Sequence, residues 1–379
     1  MRVIHIVENL DNSYGGPAKS VLLLVKYLNK LNIDNRIFTI QVFQNEKNSV
    51  LEENEILVTK SPVSGIKKIR YSSTFEEEII KNITKNTIIH VHTVWTYPSY
   101  IGYKIAKKYN IPLVVSVRGT MYKWALNQSK YIKKIAMLLF QRSMLNYADV
   151  IHITELNERA SLRDIGIYNK TVLIPNGVEL ETGFDYIDKD ILNAISYNPS
   201  KIYIMFLARI VHNKGLHYLI SSYKKIKLKY NNVEVLVVGG VEDRKYFHSL
   251  EKLDGMIYLG ILEGVKKHTI FSISSLFVLP SKSENFGMAI AEAMSYKIPI
   301  ITTRGTPWQE IQDKDAGWWV ELSQVNIDKA LNEALKCDSS KLREKGDKAY
   351  NIIKNYTWHK QALKMKNNYI KIGKLKCTY

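Results

Sequence analysis

At 379 residues and 46% hydrophobic content, the chain has material for two cores rather than one. No apolar run reaches the ~18 residues of a membrane span, and the start Met1-Arg2-Val3-Ile4-His5-Ile6-Val7-Glu8 lacks the apolar length of a secretory signal. The two cysteines, Cys337 and Cys377, have no metal-ligand spacing, so a reducing, cytoplasmic setting without structural zinc is expected.

The net charge of +18 is concentrated in two stretches. Eleven bases and no acid lie between Glu78 and Asp149, and eight bases with no acid follow Asp347. Such localised charge points to an anionic surface partner. No zinc finger, RNA-recognition signature or helix-turn-helix cue is present, which disfavours nucleic acid and leaves anionic lipid. Tyr131-Ile132-Lys133-Lys134-Ile135-Ala136-Met137-Leu138-Leu139-Phe140-Gln141-Arg142 is an amphipathic helix pattern with basic residues. It can lie on a membrane surface, or it can pack its apolar face on a core.

In chain order, Val3–Val7 is a strand pattern, followed by a loop ending in Gly15-Gly16 and a helix opened by Pro17. Buried strands are expected at Arg36–Val42, Ile88–Val91, Leu113–Val117 and Val150–Thr154, with helical stretches between several of them. Pro175-Asn176-Gly177 is a turn, and Glu181–Ser200 reads as an irregular linker. A second series follows: strand Ile202–Leu207, helix Leu216–Tyr230, and strands Val233–Val238, Ile257–Leu259, Leu276–Leu279 and Ile298–Thr302. The fold class is therefore α/β, with two doubly wound Rossmann-like domains and a cleft between them. The expected boundaries are 1–185, 186–355 and a C-terminal segment 356–379.

Ligands of such sheets sit beyond the carboxyl ends of strands, and the chemistry-bearing residues cluster there. Gly15 and Gly16 follow the first strand, His92 follows Ile88–Val91, and Arg118 follows Leu113–Val117. Arg209 and Lys214 follow Ile202–Leu207, and Glu284 follows Leu276–Leu279. Gly15-Gly16 is no dinucleotide fingerprint, and no P-loop occurs. Arg209 and Lys214 on a loop entering a helix can clamp a diphosphate and stabilise it as a leaving group. In Ser281-Lys282-Ser283-Glu284-Asn285-Phe286-Gly287-Met288-Ala289-Ile290-Ala291-Glu292, a strand turns into a helix with glycine at its start, which makes an anion site. Glu284 and Glu292 flank it and can bind hydroxyls on either side of a phosphate-bearing ligand. A nucleotide-diphosphate sugar fits these parts. No Asp-x-Asp motif is present, and protein cations can neutralise the diphosphate instead.

Arg209…Lys214-Gly215 followed by Pro280-Ser281…Glu284-Asn285-Phe286-Gly287-Met288…Glu292-Ala293-Met294 resembles family 4 of the retaining GT-B glycosyltransferases, the group 1 enzymes. His90-Val91-His92-Thr93-Val94-Trp95, Ser116-Val117-Arg118-Gly119-Thr120-Met121 and Gly317-Trp318-Trp319 are similar to a bacterial surface-polysaccharide branch of it. The resemblance implies a retaining hexosyltransferase, needing no metal or other cofactor, that uses a nucleotide-sugar donor and a glycan or polyprenyl-diphosphate-linked acceptor. It implies that Glu284 contacts the donor sugar and Glu292 the ribose, and that His92 is the nearer candidate for an acid–base or donor-sugar contact, so that His92, Arg118 and Glu284 form the expected catalytic set. Arg209, Lys214 and the Gly15-Gly16 loop would hold the diphosphate, close to the backbone of Asn285, Phe286, Gly287 and Met288. Leu259 and Ile261 would lie beside the base, and the segment from Tyr356 would cross back to the first domain. Many relatives carry His where this chain has Arg118, so that residue is assigned an anion or acceptor hydroxyls instead. With no acid between Glu78 and Asp149, peripheral contact with an anionic membrane is expected through the first domain. The alternatives are a nucleotide-sugar 2-epimerase of the same fold and a non-catalytic nucleotide-sugar sensor.

Overall fold

The structure is a computed structural model that describes residues 1–10, 16–41, 49–53, 56–64, 70–180, 186–250 and 255–376. Two compact units are formed, one by Met1–Gly177 with Trp358–Tyr379 and the other by Val178–Thr357.

The first unit is built on strands β1 (Arg2–Ile6), β2 (Asp34–Gln41), β3 (Ser49–Glu53), β4 (Ile56–Pro62), β5 (Thr87–Val91), β6 (Leu113–Ser116), β7 (Val150–Ile153) and β8 (Thr171–Leu173). They form one eight-stranded sheet in the order β3-β4-β2-β1-β5-β6-β7-β8. Pairing is parallel throughout except for the antiparallel β3–β4 pair. The central strands are short Val/Ile runs whose residues are all buried, as a sheet covered on both faces requires. Sequence patterning missed β3 and β4, where polar and charged residues interrupt the apolar run, and β8, which has three residues. The helix Trp358–Lys376 belongs to this unit. Its Trp358, Ala362, Met365 and Tyr369 pack on Val3, Ile88, Val114 and Val150 from β1, β5, β6 and β7.

The second unit contains β9 (Ile202–Leu207), β10 (Val233–Val238), β11 (Ile257–Gly260), β12 (Leu276–Leu279), β13 (Ile300–Thr303) and β14 (Gly317–Val320). These make a six-stranded, all-parallel sheet in the order β11-β10-β9-β12-β13-β14. The strand expected at Ile298–Thr302 starts two residues later, because Pro299 has no N–H to give the ladder. Of the described residues in the expected linker Glu181–Ser200, Lys189–Ala194 are helical, capped by Asp188, which accepts from the Ile191 N–H at 2.9 Å.

Strand order reverses between β1 and β5 in the first sheet and between β9 and β12 in the second. Such switch points open a crevice at the strands' carboxyl ends.

Candidate active site

In the second unit the loops leaving β9 and β12 are locked together. Gly215 has φ +74°, and a Cβ there would collide with the carbonyl oxygen of Pro280. The Lys282 N–H donates to the Asn213 carbonyl at 2.8 Å, and Ser281 Oγ donates to the same oxygen at 3.2 Å. From the other side, the Glu284 N–H donates to the Gly305 carbonyl at 2.9 Å, where a Cβ on Gly305 would strike the backbone of Lys282. This lattice brings Lys214 Nζ to 2.6 Å from Glu284 Oε1, with both side chains only 14% and 12% exposed.

Gly287, at φ +78°, caps the helix Met288–Ser295 and starts it abruptly. The preceding carbonyl, that of Phe286, accepts from Trp308 Nε1 at 2.5 Å, and the Phe286 and Trp308 rings lie 5.0 Å apart. Glu292, one turn along, pairs with Lys267 at 2.6 Å. Arg209 is the outlier: it is 66% exposed and pairs with Glu242 at 2.5 Å. Leu259 and Ile261, the residues expected beside the base, lie next to the Gly239-Gly240 turn: the Gly239 N–H donates to the Gly260 carbonyl, and a Cβ on Gly240 would be 3.0 Å from Ile261 Cδ1. Gly15 falls outside the described residues, and Gly16 is the first residue of the helix Gly16–Lys30.

Because two fixed contacts meet at Gly215, Gly215→Ala should destabilise this unit by about 2 kcal/mol or more, the cost of left-handed backbone plus a steric clash. Urea denaturation of the purified variant measures it, and an unchanged midpoint would contradict the packing described.

At the first unit's switch point, four buried histidines form two hydrogen-bonded chains, one through His5 and His92 and the other through His90, Ser116 and His152, which meet where the His90 and His92 rings lie 3.8 Å apart. His5 on β1 stands opposite His90 on β5, and Ser116 on β6 opposite His152 on β7. Asn35 gives its NH2 to Asn29 and to the Ile33 carbonyl, so its Oδ1 accepts from His5 Nε2 at 2.9 Å. His5 Nδ1 therefore accepts from His92 Nε2 at 2.8 Å, and His92 Nδ1 faces the Arg118 guanidinium at 3.5 Å. At the other end His152 Nε2 donates to the Ile174 carbonyl at 2.8 Å. Its Nδ1 then accepts from Ser116, Ser116 accepts from His90 Nε2, and His90 Nδ1 accepts from the Tyr369 hydroxyl at 2.6 Å. With the rings held neutral by burial, all four carry their proton on Nε2. Burial lowers His5 to about 4 and His152 to about 3, and His90 and His92 well below the ordinary imidazole value.

His5, His90 and His92 are close enough to suggest a metal site, their ring nitrogens lying within 4.8 Å of one another. Each lone pair already has a partner within the network or faces Arg118, so the cluster fits a hydrogen-bonded relay and not a cation.

The structure therefore joins Lys214 to Glu284, sets Glu292 and Arg209 in separate ion pairs, and places His92 beside Arg118. Sequence reasoning missed Lys267 and Glu242, whose partners are remote in sequence. It also missed His5 and His152, although a histidine near the end of each of two Val/Ile strands was a visible signal.

Residues 188–351 match the family model for glycosyl transferases group 1, and residues 14–182 match that for glycosyltransferase family 4. CapM of Staphylococcus aureus, a capsular polysaccharide biosynthesis glycosyltransferase, is 27% identical over 242 residues, covering 58% of this chain and 61% of that protein. An uncharacterised glycosyltransferase of Methanocaldococcus jannaschii is 25% identical over 368 residues, 94% of each chain. Among solved structures, sucrose-phosphate synthase from Thermosynechococcus elongatus has a TM-score of 0.78 at 18% identity, covering 98% of both chains. Anabaena HepE in complex with UDP and glucose has a TM-score of 0.74 at 14% identity, covering 98% of this chain and 100% of that one. These structures share the GT-B arrangement of two Rossmann-like domains. With one family model on each half, the chain belongs to glycosyltransferase family 4, the group 1 enzymes, and is a glycosyltransferase of the GT-B fold.

Proposed function

We propose that the enzyme transfers a hexosyl residue from a nucleotide-diphosphate sugar to a lipid-linked glycan acceptor in surface-polysaccharide assembly, with retention of configuration and without a metal. The observation that carries this reading is the Lys214–Glu284 pair at the β9/β12 switch point. Lys214 supplies a cation for the departing diphosphate, and the N-terminus of the helix Met288–Ser295 adds its dipole. Glu284 and Glu292 are acceptors for sugar and ribose hydroxyls. HepE, of the same fold, is bound to UDP and glucose, and the similarity to CapM supports polysaccharide assembly. In the transfer, the bond between the anomeric carbon and the diphosphate oxygen breaks, and the acceptor oxygen bonds to that carbon. The acceptor proton passes to the departing phosphate on the same face, so no protein nucleophile is required. Incubation with donor and acceptor should release nucleoside diphosphate only when both are present. Conversion of donor alone would instead indicate the epimerase, and stoichiometric binding without turnover the sensor.

The acceptor's lipid has a surface to meet it. Among the described residues no helix is long and apolar enough to cross a membrane. The helical segment formed by Lys130–Ala136, the π turn Met137–Gln141 and Arg142–Tyr147 instead turns an apolar stripe outward. Tyr131, Ile132, Ile135, Leu138 and Leu139 fall on one face at helical spacing and are exposed, Leu138 by 85% and Leu139 by 75%. Of the two arrangements open to this sequence, packing of that face on a core is therefore not the one adopted. Lys123, Lys130, Lys134 and Arg142 are exposed around it, which selects an anionic bilayer as the occupant. Lys130→Glu/Lys134→Glu and Leu138→Ser/Leu139→Ser should each weaken cosedimentation with phosphatidylglycerol vesicles by about tenfold or more. Equal binding of wild type and both variants would remove the membrane assignment.

A further inference from the structure

A cavity of about 170 Å³ opens at the carboxyl ends of β1, β5 and β6, lined by Glu8, Asn9, His92, Thr93, Arg118 and Thr120 among others. Arg118 brings a guanidinium to it with no carboxylate in ion-pair distance among the described residues; Glu158 acts on it only at longer range. Its protein partners are Ser20 Oγ at 2.8 Å and the neutral His92 at 3.5 Å, and its buried Nε has none. The acids nearby are committed elsewhere. Glu8 pairs with Arg70 at 3.2 Å, and Glu158 is held by the amides of Gly119 and Thr154. The imidazoles beneath are held neutral by burial and offer Arg118 no charge. Thr93 Oγ1, buried at the same cavity, also has no partner.

The backbone goes out of its way to present this cation. Arg118 holds φ +46°, a left-handed conformation that is unfavourable for a residue with a Cβ. It is pinned there by the Thr120 hydroxyl on the Val117 carbonyl and by the Gly119 amide on Glu158. Burial lowers the guanidinium to about 10, so it stays charged at neutral pH. A buried, unpaired cation is costly unless something neutralises it.

We infer that this cavity binds an oxyanion, a phosphate or carboxylate group, with Arg118 as its counter-charge and the Thr93 hydroxyl as a second donor. The volume equals roughly the liquid share of six waters, enough for such a group. The oxyanion has two possible sources, the donor's diphosphate or an anionic group on the acceptor, and both present the same chemistry.

Calorimetric titration of the full chain with inorganic phosphate, with glucuronate and with glucose tests the site without requiring turnover, so it fails or succeeds apart from the transferase reading. Phosphate and glucuronate should bind and glucose should not. Arg118→Gln should raise the phosphate Kd at least about tenfold, and Arg118→Lys should recover most of that loss. Thr93→Val, a smaller change, should raise it about threefold. If UDP displaces the phosphate, the oxyanion is the donor's; if UDP and phosphate bind together, it is the acceptor's. Phosphate affinity unchanged in both Arg118→Gln and Thr93→Val, or glucose binding as tightly as phosphate, would overturn the inference.

Discussion

Acidification from pH 7 to pH 5 is expected to strip global protection from β1, β5, β6 and β7 while β9 and β12 keep theirs. The four histidines His5, His90, His92 and His152 are buried neutral, His5 at about 4 and His152 at about 3, against an ordinary value of 6.5. Above pH 6.5 both folded and unfolded chains hold these rings neutral, and there is no penalty. Below it the unfolded chain takes up protons that the folded one refuses, so unfolding becomes easier as pH falls, down to the folded-state values. A ring that stays neutral while its unfolded counterpart is protonated contributes about 1.4 kcal/mol per pH unit, so the four together lose several kcal/mol over this range. That is comparable with the whole stability of an ordinary domain. Among the groups facing the cluster, Arg118 further opposes its protonation, and Tyr369 donates to His90 and stays protonated throughout. Glu158 acts the other way: burial raises it, so the folded state takes a proton there and offsets part of the loss. Amide hydrogen exchange, corrected for the intrinsic rate at each pH, reads these strands individually. Equal protection of β1 and β5 at pH 7 and pH 5 would contradict the neutral network.

Loss of either partner at the β9/β12 switch point should have the largest effect on turnover. Glu284→Ala and Lys214→Ala are each expected to lower kcat/KM by about 10²–10³, the scale of removing one preorganised electrostatic contact. Each also strands its partner in a site that is only 12–14% exposed, at about 1–3 kcal/mol of stability. The double variant should therefore be no more than slightly worse than the singles, because the two residues act as a unit. Steady-state kinetics on the four proteins of the cycle measures this, and additive losses would show that the pair is incidental.

Much of this arrangement was legible in the sequence because parallel sheets are written in short, uninterrupted Val/Ile runs. β9, β10 and β12 have the expected bounds, and the remaining expected strands differ by two residues or fewer at each end. What failed is instructive. The β3–β4 pair and β14 mix polar, charged or aromatic residues into the run, so apolar continuity gives no signal there. At the site, one-dimensional spacing could place Lys214 and Glu284 on loops after particular strands. It could not show that Gly215 against Pro280 would press those loops together, since that depends on the adjacency of β9 and β12. The pairing of Arg209 with Glu242 and of Glu292 with Lys267 is hidden for the same reason. The histidine network is the clearest case, because its members lie on five strands and a helix and meet only through the register of the first sheet and the helix carrying Tyr369.

The most direct test of the Lys214–Glu284 assignment is nucleoside-diphosphate release by the full chain from UDP-, GDP- and ADP-sugars, with a CMP-sugar as control, in the presence of a lipid-linked glycan fraction. The account predicts acceptor-dependent consumption of a diphosphate sugar, no use of the CMP-sugar, and near-complete loss in Glu284→Ala. Full turnover by Glu284→Ala, or preferential use of the CMP-sugar, would contradict it.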